Sequence, residues 1–156
     1  MTRIRRAGAA DVAHMIEIAR RSTAAAQWSE RQYEQMFSPD RLVLVIEEDD
    51  QIAGFIAGRG AAGEWEIENL AVAATARRRG LGSRLVGEFL HHIRCNGGRE
   101  VFLEVRESNH AARAFYAKCA FIEAGRRKSY YHNPQEDALI LTFSFAARVK
   151  LGLNQS

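Results

Sequence analysis

The sequence predicts an α/β domain: a mixed, mostly antiparallel sheet of about six or seven strands flanked by about four helices. Two β-rich runs in "RLVLVIEEDDQIAGFIAGRG" surround an acidic turn at Glu48 to Asp50, which predicts a hairpin and so antiparallel pairing. Between Glu64 and Val105 the order is strand, glycine loop, amphipathic helix, strand, which predicts a right-handed crossover and a parallel neighbour. A chain of 156 residues, 47% hydrophobic, is long enough for one domain with a core and short for two. Residues 1–146 are expected to form that domain and 147–156 a frayed tail.

Each element has a local reason. "TRIRRA" is a short first strand, and Val12, Met15, Ile16 and Ala19 then recur at helical spacing. In "WSERQYEQMF", Ser29 with Gln32 three residues on is a capping-box pattern; it opens a second helix that Pro39 closes. The linker between these helices carries Trp28. The hairpin follows, with a third run from Glu64 to Val72 beside it. From Leu81, the apolar residues Leu85, Val86, Phe89, Leu90 and Ile93 come at spacings of three and four, and the helix ends at Asn96 to Gly98. "EVFLEV", Glu100 to Val105, has a nearly continuous apolar centre, as expected of a strand covered on both faces. "NHAARAFYAKCAF" is helical through Ala112, Phe115, Tyr116 and Cys119, with Asn109 as N-cap. "IEAGRRKSYY" and "DALILTFSF" are two closing strands around a turn at Asn133 and Pro134.

Composition excludes several classes. With 22 basic against 19 acidic residues, the net charge of +3 is too mild for a dedicated nucleic-acid protein, so any anion site is local. Two cysteines, Cys95 and Cys119, are too few for a zinc cluster or a disulfide framework and fit small core-lining residues in a reducing compartment. No apolar run approaches the roughly 20 residues needed to span a bilayer, and the N-terminal stretch lacks the apolar segment of a secretory signal. The expectation is a cytoplasmic, soluble monomer or weak dimer with no metal site and no membrane or nucleic-acid partner.

The stretch "ATARRRGLGSRLV", residues 74 to 86, sets glycines at the mouth of a helix. Helix N-termini carry unpaired N–H groups and a positive partial charge, so a glycine turn feeding one suits phosphate. A Walker-type loop needs lysine followed by serine or threonine, and Ser83-Arg84 stands here instead; a dinucleotide fingerprint needs glycine where Leu85 stands. What remains is Arg77-x-x-Gly80-x-Gly82, or else a plain surface turn with solvated arginines.

That loop resembles the acetyl-CoA loop of the Gcn5-related N-acetyltransferases (GNAT). "LEVRESNHAARAFYAKCAF", "QWSE" at 27–30, "ENLAVAATARRRGLG" at 68–82 and the pair Tyr130-Tyr131 before "EDALIL" are closer still to the RimI-type branch. That branch acetylates protein N-terminal amines, its founding substrate being a ribosomal protein ending in alanine. The resemblance implies the GNAT (acyl-CoA N-acyltransferase) fold, acetyl-CoA as cosubstrate wedged where the fourth and fifth strands part, and a protein or peptide N-terminus as acceptor. It implies coenzyme contacts at Leu70, Ala71 and Val72 of the fourth strand, at Arg77, Arg78, Arg79, Gly80, Leu81, Gly82 and Ser83 of the loop, and at Asn109. It makes Glu104 the general base and Tyr116 the general acid, and it borders the acceptor with Trp28, Tyr130, Tyr131 and His132.

The residues also admit plainer roles. Glu104 could pair with Arg106 or a helix N-terminus, and Tyr116 could be a core tyrosine beside Phe115. The chain departs from the family at Ala120, where relatives commonly carry glycine, and at Ala73-Ala74, where they often carry proline. Two rival functions stay open: acetylation of a small amine such as a polyamine or antibiotic, and an anion- or nucleic-acid-binding module built on the three arginines.

Overall fold

The structure is a computed structural model and describes residues 1–22, 25–76 and 79–145. Arg77, Arg78 and the tail lie outside the described residues. The elements are β1 (Thr2–Arg6), α1 (Val12–Arg20), α2 (Glu30–Gln35), β2 (Arg41–Glu48), β3 (Gln51–Ala61), β4 (Glu64–Val72), α3 (Leu81–Cys95), β5 (Glu100–Arg106), α4 (His110–Lys118), β6 (Ile122–Tyr131) and β7 (Glu136–Ser144). They form one sheet in the order β1-β2-β3-β4-β5-β7-β6, antiparallel throughout except for the parallel pair β4 and β5. Asp49 and Asp50 turn the β2–β3 hairpin with φ of 50° and 64°, the left-handed pair of a type I′ turn. Ser29 and Gln32 close the capping box of α2 reciprocally.

Two cores cover the sheet. On one side, Leu42, Leu44, Ile46 and Ile56 meet Leu85, Val86, Phe89 and Ile93 of α3 and Tyr116 of α4. On the other, Val43, Val45, Phe55 and Ala71 meet Met15 and Ala19 of α1 and Tyr33 of α2. The strand buried on both faces is therefore β2, whose "LVLVI" alternates between the cores, and not β5. In β5, Val101, Leu103 and Val105 are buried while Phe102 and Glu104 are half-buried, because the second core includes no β5 residue. The cysteine expectation is also corrected. Cys95 is exposed at the end of α3, its thiol 3.7 Å from His91 Nε2, whereas Cys119, partly buried, does pack against the first core.

Two irregularities shape the site. Between Ala57 and Gly58 the β3–β4 register slips, pairing Ala57 with Asn69 and Gly58 with Ile67, so Glu68 is an extra residue in a bulge. Further along, β4 pairs with β5 only from Glu64 to Glu66, against Glu100 to Phe102, and then the strands part.

The end of α4 shows how Ala120 is accommodated. Ala120 takes φ of 70°, its N–H donates to the Ala117 carbonyl, and the Phe121 N–H reaches back to the Tyr116 carbonyl. This is a Schellman stop, sealed by the Tyr116 and Phe121 rings with centroids 5.5 Å apart. A β-carbon in that conformation costs about 1–2 kcal/mol. Ala120→Gly is expected to recover about 1 kcal/mol, net of glycine's entropy, and to raise Tm by about 2–4 °C with kcat unchanged. A Tm at or below that of the parent protein in thermal melts would refute this.

Candidate active site

Where β4 and β5 part, a cavity of about 670 Å³ opens. Ile67 to Val72 of β4 and Leu103 to Arg106 of β5 form its sides. Gly82 of α3, Asn109, Ala111, Ala112, Phe115 and Tyr116 at and in α4, Tyr131 of β6, and Ser22, Ala25 and Ala26 from the segment between α1 and α2 complete its lining. The divergence follows from the pairing. Past Glu66, β4 is held only by β3, so its backbone edge toward β5 is left open to the cleft.

Gly80 enters α3 as a left-handed N-cap with φ of 75° and no side-chain cap. The Arg84 N–H donates to the Gly80 carbonyl, so the N–H groups of the first turn have no partner within the helix. Gly82 faces the cavity: a β-carbon there would stand 3.3 Å from the Phe115 ring and 3.8 Å from Val72 Cγ2. Asn109 caps α4, its Oδ1 accepting from the Ala112 N–H at 3.1 Å.

Glu104 reaches the cavity with its side chain 12% exposed, and its Oε1 lies 3.3 Å from Arg127 Nε. Its ion-pair partner is thus Arg127 rather than Arg106. Glu66 lies near Glu104 and Glu68, and burial together with these two carboxylates raises its pKa above the usual carboxylate range. Tyr116 is buried between Phe115 and Phe121, and that burial pushes its phenol well above the ordinary tyrosine value. The phenol therefore keeps its proton over any working pH.

The comparisons with known proteins agree with this geometry. Residues 10–121 match the acetyltransferase (GNAT) family. The chain belongs to that family. The [ribosomal protein bS18]-alanine N-acetyltransferase of Salmonella typhimurium is 35% identical over 119 residues, 75% of this chain and 80% of its own length. The crystal structure of the ribosomal-protein-S18-alanine N-acetyltransferase from Escherichia coli superposes with a TM-score of 0.85 at 29% identity, covering 92% of this chain and 94% of that one. Arabidopsis thaliana NAA60, solved in complex with acetyl-CoA, shares the fold with a TM-score of 0.83 at 16% identity, over 93% of this chain and all of its own. GNAT acetyltransferases take the acetyl group from acetyl-CoA, and this chain is an acetyl-CoA-dependent N-acetyltransferase of that fold.

The acetyltransferase's own residues fit that donor. The open edge of β4 at Leu70, Ala71 and Val72 offers backbone groups to an extended, amide-bearing arm. The first turn of α3 offers N–H groups to phosphates, and Gly82 keeps the approach clear of a side chain. The Leu81 side chain is buried in the core, which leaves its backbone for such contacts. Ser83 lies beside the Cys119 thiol. Arg79 is engaged with Glu48 at 2.7 Å and with the Thr75 carbonyl at 3.3 Å.

On the acceptor side the expected residues separate. Tyr131 lines the cavity; Tyr130 packs against it at 5.1 Å and is 46% exposed. His132 is exposed and contributes its carbonyl to Arg106 Nη2. Trp28 packs edge-on against Tyr33 at 5.4 Å beside the second core and is not among the cavity-lining residues.

Sequence reasoning missed Asn69 inside the quoted "ENLAV". Its amide is buried, Oδ1 accepting from the Ala26 N–H at 3.0 Å and Nδ2 donating to the Ala26 carbonyl at 3.1 Å, which fastens the α1–α2 linker to β4 at the cavity wall. A polar residue at an inward position of a strand was the available signal. Glu68 was missed too. It is aimed by the bulge and paired with Arg41 at 2.6 Å. Among the described residues, no cluster of His, Cys, Asp or Glu could hold a metal ion, and no helix is long and apolar enough to cross a membrane.

Proposed function

We propose that this acetyltransferase modifies the α-amine at a protein N-terminus, as the name of the Salmonella relative describes for alanine of ribosomal protein bS18. The observation that carries the reading is a carboxylate and a protonated phenol, Glu104 and Tyr116, lining one cleft beside an open strand edge. Acetyl-CoA, when bound, supplies an acetyl group activated as a thioester. Glu104, steadied by Arg127, accepts the proton that the amine nitrogen sheds as its bond to the acetyl carbon forms. Tyr116 donates its proton to the sulfur as the carbon–sulfur bond breaks. Asn109 holds the start of α4, and so the depth of Tyr116, through its cap.

The preference for an α-amine follows from protonation. With reference pKa values of about 7.7–8.0 and about 10.4, roughly a quarter of α-amines but only about a thousandth of lysine side chains are neutral near pH 7.4. A peptide with a free N-terminal alanine and an internal lysine is expected to be acetylated at the first residue and to be inert once that terminus is blocked. Mass spectrometry that places the acetyl group on the lysine, or turnover of polyamines in preference to peptides, would overturn the reading and leave the fold and donor standing.

A further inference from the structure

We propose that Arg106 is a positioning residue that sets the acceptor wall of the cleft, holding the β6–β7 turn and the Tyr131 ring against the end of β5. The proposal rests on the acceptor reading above. Arg106 stands two residues after Glu104, on the same face of β5, and both side chains line the cavity. Arg106 Nη1 donates to the Pro134 carbonyl at 3.1 Å and to Glu136 Oε1 at 3.0 Å, and Nη2 makes a longer contact of 3.4 Å to the His132 carbonyl. The flat guanidinium lies 4.3 Å from the centroid of the Tyr131 ring.

The turn needs such a strap because the strand ladder does not dictate its shape. Arg127 pairs with Ala138 and Tyr131 with Glu136, so four steps along β6 match two along β7, and Ser129 takes φ of 53° within the slip. Glu136 extends the connection. Its carboxylate accepts from the Ser108 N–H at 3.1 Å and from the Ser108 hydroxyl at 3.0 Å, in the turn that leads to the Asn109 cap. One arginine thus joins the strand carrying Glu104, the wall carrying Tyr131 and the turn that starts α4. The work requires a planar fork with donors on both tips and a flat face for the ring. Lysine would keep the charge and lose the geometry.

The test compares Arg106→Gln, Arg106→Lys, Tyr131→Leu and the double variant Arg106→Gln/Tyr131→Leu in the full chain, using the amine that the parent protein turns over best. Both arginine variants are expected to raise the acceptor KM by about tenfold or more, with kcat and acetyl-CoA affinity each within about threefold. The double variant is expected to match Tyr131→Leu, because arginine acts through the ring. Hydrogen exchange is expected to accelerate in residues 129–137 and to stay unchanged in α3. Should the parent protein acetylate only small amines, the N-terminal reading falls and the same KM comparison judges Arg106. An unchanged acceptor KM in Arg106→Gln, full rescue by lysine, multiplicative losses in the double variant, or unchanged exchange in the turn would each overturn the proposal.

Discussion

Replacing Glu104 by glutamine is expected to lower kcat by about 10²–10⁴-fold, the usual loss when a positioned base is removed. Glutamine preserves the shape and the hydrogen-bonding reach of the side chain and deletes only its capacity to take a proton. The fold should hardly notice. The partner lost is Arg127, which is 54% exposed and returns to water, and pairs of that kind contribute little to stability. Acetyl-CoA affinity should also hold, since Glu104 is on β5 while the proposed donor contacts lie on β4, α3 and the start of α4. Tyr116→Phe is expected to reduce kcat as well, with the ring still filling its place between Phe115 and Phe121. Because burial holds the phenol protonated, any activity lost toward high pH should persist unchanged in shape in the Phe variant. Rapid-mix or steady-state kinetics showing parental turnover in Glu104→Gln would remove it from the mechanism.

Gly82→Val is expected to weaken acetyl-CoA binding by about a hundredfold, whereas Arg79→Ala should change it by no more than about threefold. The new side chain would begin 3.3 Å from the Phe115 ring and 3.8 Å from Val72, and its methyls would fill the approach to the first turn of α3. Arg79 is half exposed and already committed to Glu48, so its removal leaves the helix N–H groups in place. Misfolding can be separated from the effect with Gly82→Ala. Alanine suits a helix better than glycine by about 1 kcal/mol, which offsets the 3.3 Å approach of its β-carbon to the Phe115 ring, so that variant should bind more weakly with little change in Tm. Calorimetric titration that finds acetyl-CoA affinity intact in the valine variant, or abolished in Arg79→Ala, would reverse the account of the loop.

The order of the elements was legible because helix and strand periods, caps and turns are local properties. Ser29 with Gln32, the acidic turn at Asp49 and Asp50, and the helical spacing from Leu81 to Ile93 each declare themselves within a short local stretch. The cleft was foreseen for a different reason. The resemblance of the glycine loop and of "LEVRESN" pointed to it, while spacing alone left Glu104 free to pair with Arg106. Burial was misassigned wherever it depends on what lies across the sheet. "VFLEV" and "LVLVI" read alike in one dimension, and only packing reveals that α1 and α2 cover β2 and leave one face of β5 half open. The same limit hid the hold of Asn69 on Ala26 and the reach of Arg106 to the Tyr131 turn, since partners 43 and 25 positions away leave no periodic trace.

The single extra residue at Glu68 behaves as a dislocation in the sheet. Before it, Trp65 and Ile67 face the α3 side; beyond it, Leu70 and Val72 take that side and Ala71 faces α1. The odd and even positions of one strand have exchanged sides. A slip of one residue in a strand sends every following side chain to the opposite face. Had Ile67, Glu68 and Asn69 alternated without the bulge, the Asn69 amide would point away from Ala26 and into the α3 core. The bulge absorbs that step: a chain shortened by Glu68 would pair Ile67 and Asn69 with Gly58 and Ala57 as plain neighbours, keep every later side chain on its side, and lose the carboxylate that meets Arg41 and lines the cleft.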